Sequence, residues 1–187
     1  MSKSLFITLE GGEGTGKTTL IKSLYAELSS RGHEVVLSRE PGGTEGAEAI
    51  RDLVLKGDAN RWNSMSEICL YYAAREDHLM RIIRPALAGG KIVICDRFFD
   101  STRAYQGHLG DKEQNVIKCL EDNIVAQHKP NLTIVLDIDV EIGLARVAGL
   151  ELKPCRMERQ LQCAQLLSRC CLQPVRHGDF AEPKEDR

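Results

Sequence analysis

No apolar run in this 187-residue chain approaches the roughly 18 residues that a membrane-spanning helix needs, so no such helix is expected. Residues Met1 to Thr8 hold one lysine and a short apolar run, with no cleavage site, and lead straight into a motif. They do not read as a signal peptide, and the chain is expected to be cytoplasmic. An excess of either charge is also missing. Lys plus Arg total 25 against 27 Asp plus Glu, a net charge of −2, which excludes a broad basic face for a nucleic acid polymer. Internal repeats and low-complexity tracts are absent. With 42% apolar and 28% charged residues, wholesale disorder is excluded as well. A chain of this length buries about 70% of its unfolded surface, enough for one core without cross-links. The seven cysteines lack a trustworthy zinc spacing. Cys69, Cys95 and Cys119 sit in apolar, periodic surroundings and are expected as reduced core residues. Cys155, Cys163, Cys170 and Cys171 crowd together near the end.

What is present alternates. Leu5–Glu10, Val35–Ser38, Lys91–Asp96 and Leu132–Asp137 are short runs rich in Val, Ile or Leu, most ending in a polar or acidic residue. Such unbroken runs suit strands buried on both faces. Helical spacing falls between them. Leu20, Leu24 and Leu28 step by four, Ile50, Leu53 and Val54 mark a second helix, and Val116, Leu120 and Ile124 mark a fourth. The third runs through Tyr72, Leu79 and Ile83, with Ser64 and Glu67 as its expected capping box and Pro85 as its bend or end. Strands alternating with helices predict an α/β fold, a three-layer sandwich with a parallel sheet flanked by helices.

The strongest motif is Gly11-Gly12-Glu13-Gly14-Thr15-Gly16-Lys17-Thr18, between the first strand and the first helix. Its spacing is that of a Walker A phosphate loop. Glycines let backbone N–H groups wrap a phosphate, the helix N-terminus adds positive potential, and Lys17 reaches the outer phosphates. The Thr18 hydroxyl is placed for Mg²⁺. Nucleoside triphosphate binding follows; the acceptor does not.

Four clusters address the acceptor. Arg39 and Glu40 follow the second strand, at the sheet edge where parallel sheets bind ligands. Arg51 lies on the next helix. Tyr71 and Arg75, four apart, share a helix face. Asp96 and Arg97 end the third strand, with Ser101, Tyr105 and Gln106 beyond. Alone, each has a plain alternative: a solvated charge for Arg51, a core aromatic for Tyr71, a structural ion pair for Asp96 and Arg97, a surface or structural residue for His78. Together, Arg39, Arg51, Arg75 and Arg97 beside a phosphate loop suit a phosphorylated acceptor.

On these residues, from about Leu5 to about Val147, the chain resembles thymidylate kinases of the bacterial type. That resemblance implies a nucleoside monophosphate kinase-like fold, phosphoryl transfer from ATP to dTMP with Mg²⁺, and a homodimer. By motif, Lys17 and Thr18 would hold ATP phosphates and Mg²⁺, and Glu13 would lie near the acceptor sugar and phosphate. Arg39 and Arg97 would clamp that phosphate, with Arg51 nearby. Tyr71 would stack on thymine, while Arg75 and Gln106 would read its edge with support from Ser101. Tyr105 would crowd the 2′ position, and Asp96 would act on Mg²⁺ and its waters. Another nucleoside monophosphate, a nucleoside, or nucleotide binding without turnover are the competing readings.

One branch of the family carries a catalytic arginine inside the loop. Here that position is Gly14, so the chain resembles the branch whose lid supplies it, with Arg146, Arg156 and Arg159 as candidates. Residues 1–149 are expected to form the kinase core. From Leu150 onward the expected arginine-rich lid, fifth strand, adenine-contacting loop and last helix are not evident, although Gln160–Leu172 has helical spacing. A reading-frame shift in the source gene or its record is the expectation for 150–187, to be checked in the other frames of the coding DNA.

Overall fold

The computed structural model describes residues 4–58, 61–107 and 110–147. Four strands form one parallel sheet: β1 (Leu5–Gly11), β2 (Val35–Arg39), β3 (Ile92–Asp96) and β4 (Leu132–Leu136), in the order β2-β3-β1-β4. Around it lie α1 (Lys17–Ser30), α2 (Glu45–Leu55), α3 (Ser64–His78), α4 (Arg84–Ala88), α5 (Phe99–Gln106), α6 (Asp111–Leu120) and α7 (Val140–Val147). Successive strand residues point to opposite faces, and both faces are covered. Phe6, Val93 and Cys95 pack against Ile68, Tyr72, Leu79, Ile83 and Ile117 on one side. Ile7, Leu9, Ile92 and Ile94 pack against Ile21, Leu20, Leu24 and Leu28 of α1 on the other. Hence the central strands β1 and β3 read as continuous apolar runs, while the outer strands leave Leu37 and Leu132 exposed.

Two local expectations are corrected and a third is sharpened. Cys69 and Cys119 are exposed; only Cys95 of the three is buried. Cys69 sits one position, about 100°, off the inward stripe of Ile68 and Tyr72, and Cys119 sits two positions, about 200°, past the buried Ile117. The N-cap of α3 is Asn63, whose side chain accepts from the Ser66 amide at 2.9 Å. Glu67 is thereby released from a capping role, and its carboxylate is buried against Gln106. Pro85 does not simply end the third helix. The chain widens into a π-helical turn over Leu79–Ile83 and resumes as α4, with Pro85 in the first turn where its missing N–H costs nothing. The helix expected over Gln160–Leu172, the four late cysteines, Arg156 and Arg159 lie outside the described residues.

Candidate active site

The phosphate loop leaves the C-terminal end of β1 and closes on α1, with Gly16 in the left-handed region (φ 95°) as the helix N-cap. Lys17 is buried, and its ammonium donates to the Gly11 and Gly12 carbonyls at 3.0 and 2.7 Å. The Thr15 hydroxyl ties the loop to itself through the Gly12 carbonyl at 3.0 Å. Burial, and then the charge of Arg97, push Lys17 down to about 8 from its usual 10.5. A lysine so held is costly to the fold and suited to meeting an anion.

The loop is backed by α7. A side chain at Gly14 would stand 2.2 Å from the Gly143 carbonyl, and one at Gly143 would stand 2.8 Å from the Glu13 carbonyl. Arg146, one turn on, donates to the Gly14 carbonyl at 3.2 Å. Gly143→Ala sets a helix gain of about 1 kcal/mol against roughly 1–3 kcal/mol of overpacking on rigid backbone. The clash is expected to win: a lower melting temperature and weaker ATP binding by calorimetry. Wild-type values for both would show that the two backbones do not touch as described.

Across the loop, β3 delivers Asp96 and Arg97. Arg97 adopts φ 70°, a left-handed conformation uncommon for a side-chain-bearing residue. Two contacts hold that turn. The Arg97 amide donates to the Leu9 carbonyl at 2.9 Å, and the Phe98 amide donates to Glu10 Oε1 at 2.8 Å. The Arg97 guanidinium then reaches Glu13 at 2.8 Å, Ser101 at 3.2 Å and the Tyr105 hydroxyl at 3.4 Å, and it also stacks over the Tyr105 ring. Burial opposes its charge, but Tyr105, Glu13, Glu10 and Asp96 together outweigh burial and keep it cationic.

Glu10, which the motif analysis passed over, is fully buried in β1 and also accepts from the Ser101 hydroxyl at 2.6 Å. Burial pushes it up to about 7 from 4.5, although Ser101 and Arg97 pull the other way. Between pH 4.5 and about 7 the folded chain therefore holds a proton that the unfolded chain has released. The stability this contributes is present at low pH and fades as pH rises through 7, by up to about 3 kcal/mol. Glu10→Gln is expected to gain on the wild type between pH 5 and pH 8 in thermal melts; a constant gap would mean that Glu10 does not titrate there.

The remaining candidates divide. Arg75 is 2% exposed; Nε donates to Glu40 at 2.8 Å and Nη2 to Thr102 at 3.1 Å, and the group lies over the rings of Tyr72 and Phe98. Its Nη1 is buried without a hydrogen-bond partner. Glu40 is buried beneath it. Tyr71 is half-buried on the same helix, and Gln106 is buried, donating to Glu67 at 3.0 Å. Arg39 and Arg51 do not join the Arg97 cluster through any of these contacts: Arg39 is exposed and pairs with Glu48 at 3.0 Å, and Arg51 donates to the Pro41 carbonyl at 2.7 Å.

No group of three or more His, Cys, Asp or Glu able to hold a metal alone occurs among the described residues. Mg²⁺ on a nucleotide needs less, because it takes one or two protein oxygens and finds the rest on phosphates and waters. Asp96 Oδ1 is buried and without a partner, and Thr18 is exposed at the start of α1. That pair fits the ion.

The fold and site define a nucleoside monophosphate kinase-like protein of the phosphate-loop class. The family model described as thymidylate kinase matches residues 9–179. A thymidylate kinase of Caulobacter vibrioides is 51% identical over 146 residues, covering 78% of this chain and 70% of that protein. One from a Bradyrhizobium species is 52% identical over 144 residues, covering 77% and 64%. The crystal structure of thymidylate kinase from Ehrlichia chaffeensis superposes with a TM-score of 0.64 at 40% identity, covering 78% of this chain and 83% of that one. The chain belongs to the thymidylate kinase family.

Proposed function

We propose that the chain transfers the γ-phosphoryl group of ATP to dTMP, giving dTDP and ADP on the route to dTTP. The observation that carries this is the ion pair between Glu13 of the phosphate loop and Arg97 at the end of β3. It joins the group that holds the donor to the group that would hold the acceptor phosphate. Lys17 and the loop amides take the ATP phosphates, and Thr18 and Asp96 hold Mg²⁺, which when bound supplies charge neutralisation between the two nucleotides. Arg97 orients the acceptor phosphate through its planar fork, with Ser101 and Tyr105 fixing the fork. That phosphate is already an anion, so the site needs cancelled repulsion and alignment rather than a strong base. Arg75 offers its free Nη1 to a base carbonyl, Tyr71 stacks on the ring, Gln106 lies at the base edge, and Tyr105 disfavours a 2′-hydroxyl. Arg39 and Arg51 contribute positive potential toward the acceptor. Arg146, already on the Gly14 carbonyl, is the described candidate for the catalytic arginine.

Among the described residues no helix is long and apolar enough to cross a membrane; with this chemistry we place the protein in the cytoplasm, as a homodimer. A coupled ADP-release assay with dTMP, dUMP, dCMP and thymidine tests the reading. Turnover fastest with dTMP is expected. A preference for another acceptor would reassign the substrate, and ATP binding without turnover would remove the activity.

A further inference from the structure

Behind Arg75 runs a buried chain of hydrogen bonds that the reaction itself does not use. His78, the last residue of α3, is fully buried with its ring against Ser38 of β2. Its Nδ1 lies 3.1 Å from Glu40 Oε1, and its Nε2 lies 2.5 Å from the Ser38 hydroxyl. A carboxylate only accepts, so Nδ1 carries a ring proton toward Glu40, while Nε2 and the Ser38 hydroxyl share the second hydrogen bond. The other oxygen of Glu40 takes the Arg75 Nε at 2.8 Å, and Arg75 Nη2 is tied to Thr102 at 3.1 Å. Gly43 closes the far end. A side chain there would meet the His78 ring at 2.9 Å and Ser38 Oγ at 2.7 Å, so the histidine is also boxed in by backbone.

The chain leaves Arg75 with one unspent nitrogen. Nη1 is buried and unpaired, while its neighbours on the same plane are pinned on two sides. A planar guanidinium pinned at Nε and Nη2 cannot turn Nη1 elsewhere. Such a donor is satisfied by a ring carbonyl. A ring amino group brings donors of its own and leaves both partners unpaired in a dry site, which is the stronger kind of discrimination. That discrimination depends on Arg75 staying in place. Were Glu40 free to swing, Arg75 could follow it and the penalty against the amino base would fall.

We infer that Ser38 and His78 are positioning residues that act through Glu40 to hold Arg75 as a selector of 4-keto over 4-amino pyrimidine nucleotides. This rests on the assignment of Arg75 to the base edge made above. Neither residue need touch the nucleotide.

The test is calorimetric titration of the full chain with dTMP and with dCMP, read as the ratio of the two Kd values. His78→Ala is expected to compress the ratio about tenfold, the effect of one lost charged hydrogen bond, with ATP affinity unchanged. His78→Asn retains a donor toward Glu40 and should restore most of the ratio. Ser38→Ala, at the half-buried end of the chain and the gentler change, should compress it about threefold, and it keeps the test available if His78→Ala does not fold. A purely structural role would lower the melting temperature and leave the ratio alone. A wild-type ratio in both Ser38→Ala and His78→Ala, or in Ser38→Ala alone where His78→Ala does not fold, overturns the inference. Arg75→Ala separates the two levels. If it collapses the ratio while the others do not, only the positioning chain is wrong. If it too leaves the ratio intact, the base-edge assignment of Arg75 is wrong.

Discussion

Lys17→Ala is expected to reduce ADP release with dTMP by about 10³-fold or more, because on the proposed reading its ammonium is the cation that the loop itself presents to the transferred phosphoryl group. The same substitution is expected to cost the protein little stability at pH 7. Lys17 is buried, and its lowered titration near 8 means that below pH 8 the fold carries a charge it disfavours. The shift from 10.5 corresponds to a penalty on the order of 3 kcal/mol, relieved by alanine. Against that stand two hydrogen bonds to the Gly11 and Gly12 carbonyls, each contributing about 1.5–3 kcal/mol as bonds from a charged donor. At the lower end of that range the two sides balance, so loss of turnover with little loss of melting temperature is the signature of a residue kept for chemistry. A variant that retains a tenth of wild-type turnover would show that the transferred group is held elsewhere.

Arg97→Ala is expected to raise the dTMP Michaelis constant and lower kcat, with kcat/KM falling about 10³-fold. The size follows from what converges on that guanidinium. Glu13, Ser101 and Tyr105 aim its fork, and the Glu10 contact to Phe98 holds a backbone turn that side-chain-bearing residues seldom adopt. Arg97→Lys keeps the charge and loses the two-pronged geometry, so it should fall between wild type and alanine. If lysine performed as well as arginine, the cluster would be supplying charge alone. Unchanged kinetics in Arg97→Ala would end its role at the acceptor phosphate.

The parallel sheet and the phosphate loop could be read in advance because both are local. Strand runs of four to six residues and a fixed glycine–lysine spacing carry their own physical meaning, and β1, α1 and the loop stand where that spacing put them. Contacts between distant segments were not legible. Glu10 reads as the polar end of a strand; only the fold brings it to Phe98 and Ser101, some ninety residues away. Ser38, Glu40, His78, Arg75 and Thr102 come from three separate stretches of chain, and no periodicity relates them. Periodicity also fixes a helix face only to within one or two residues, which is enough to misplace Cys69 and Cys119. The acidic end of β1 was the one available hint: a carboxylate continuing an apolar central strand must find donors inside the protein.

On the proposed reading one edge of the sheet seats two nucleotides, with the monophosphate held by Arg97 at one end and Arg75 at the other. A crystal structure of the chain with dTMP tests it most directly. The phosphate is expected within hydrogen-bond reach of the Arg97 guanidinium, and a ring carbonyl on Arg75 Nη1. A nucleotide seated away from both, or bound with Arg75 Nη1 still unpaired, would contradict it.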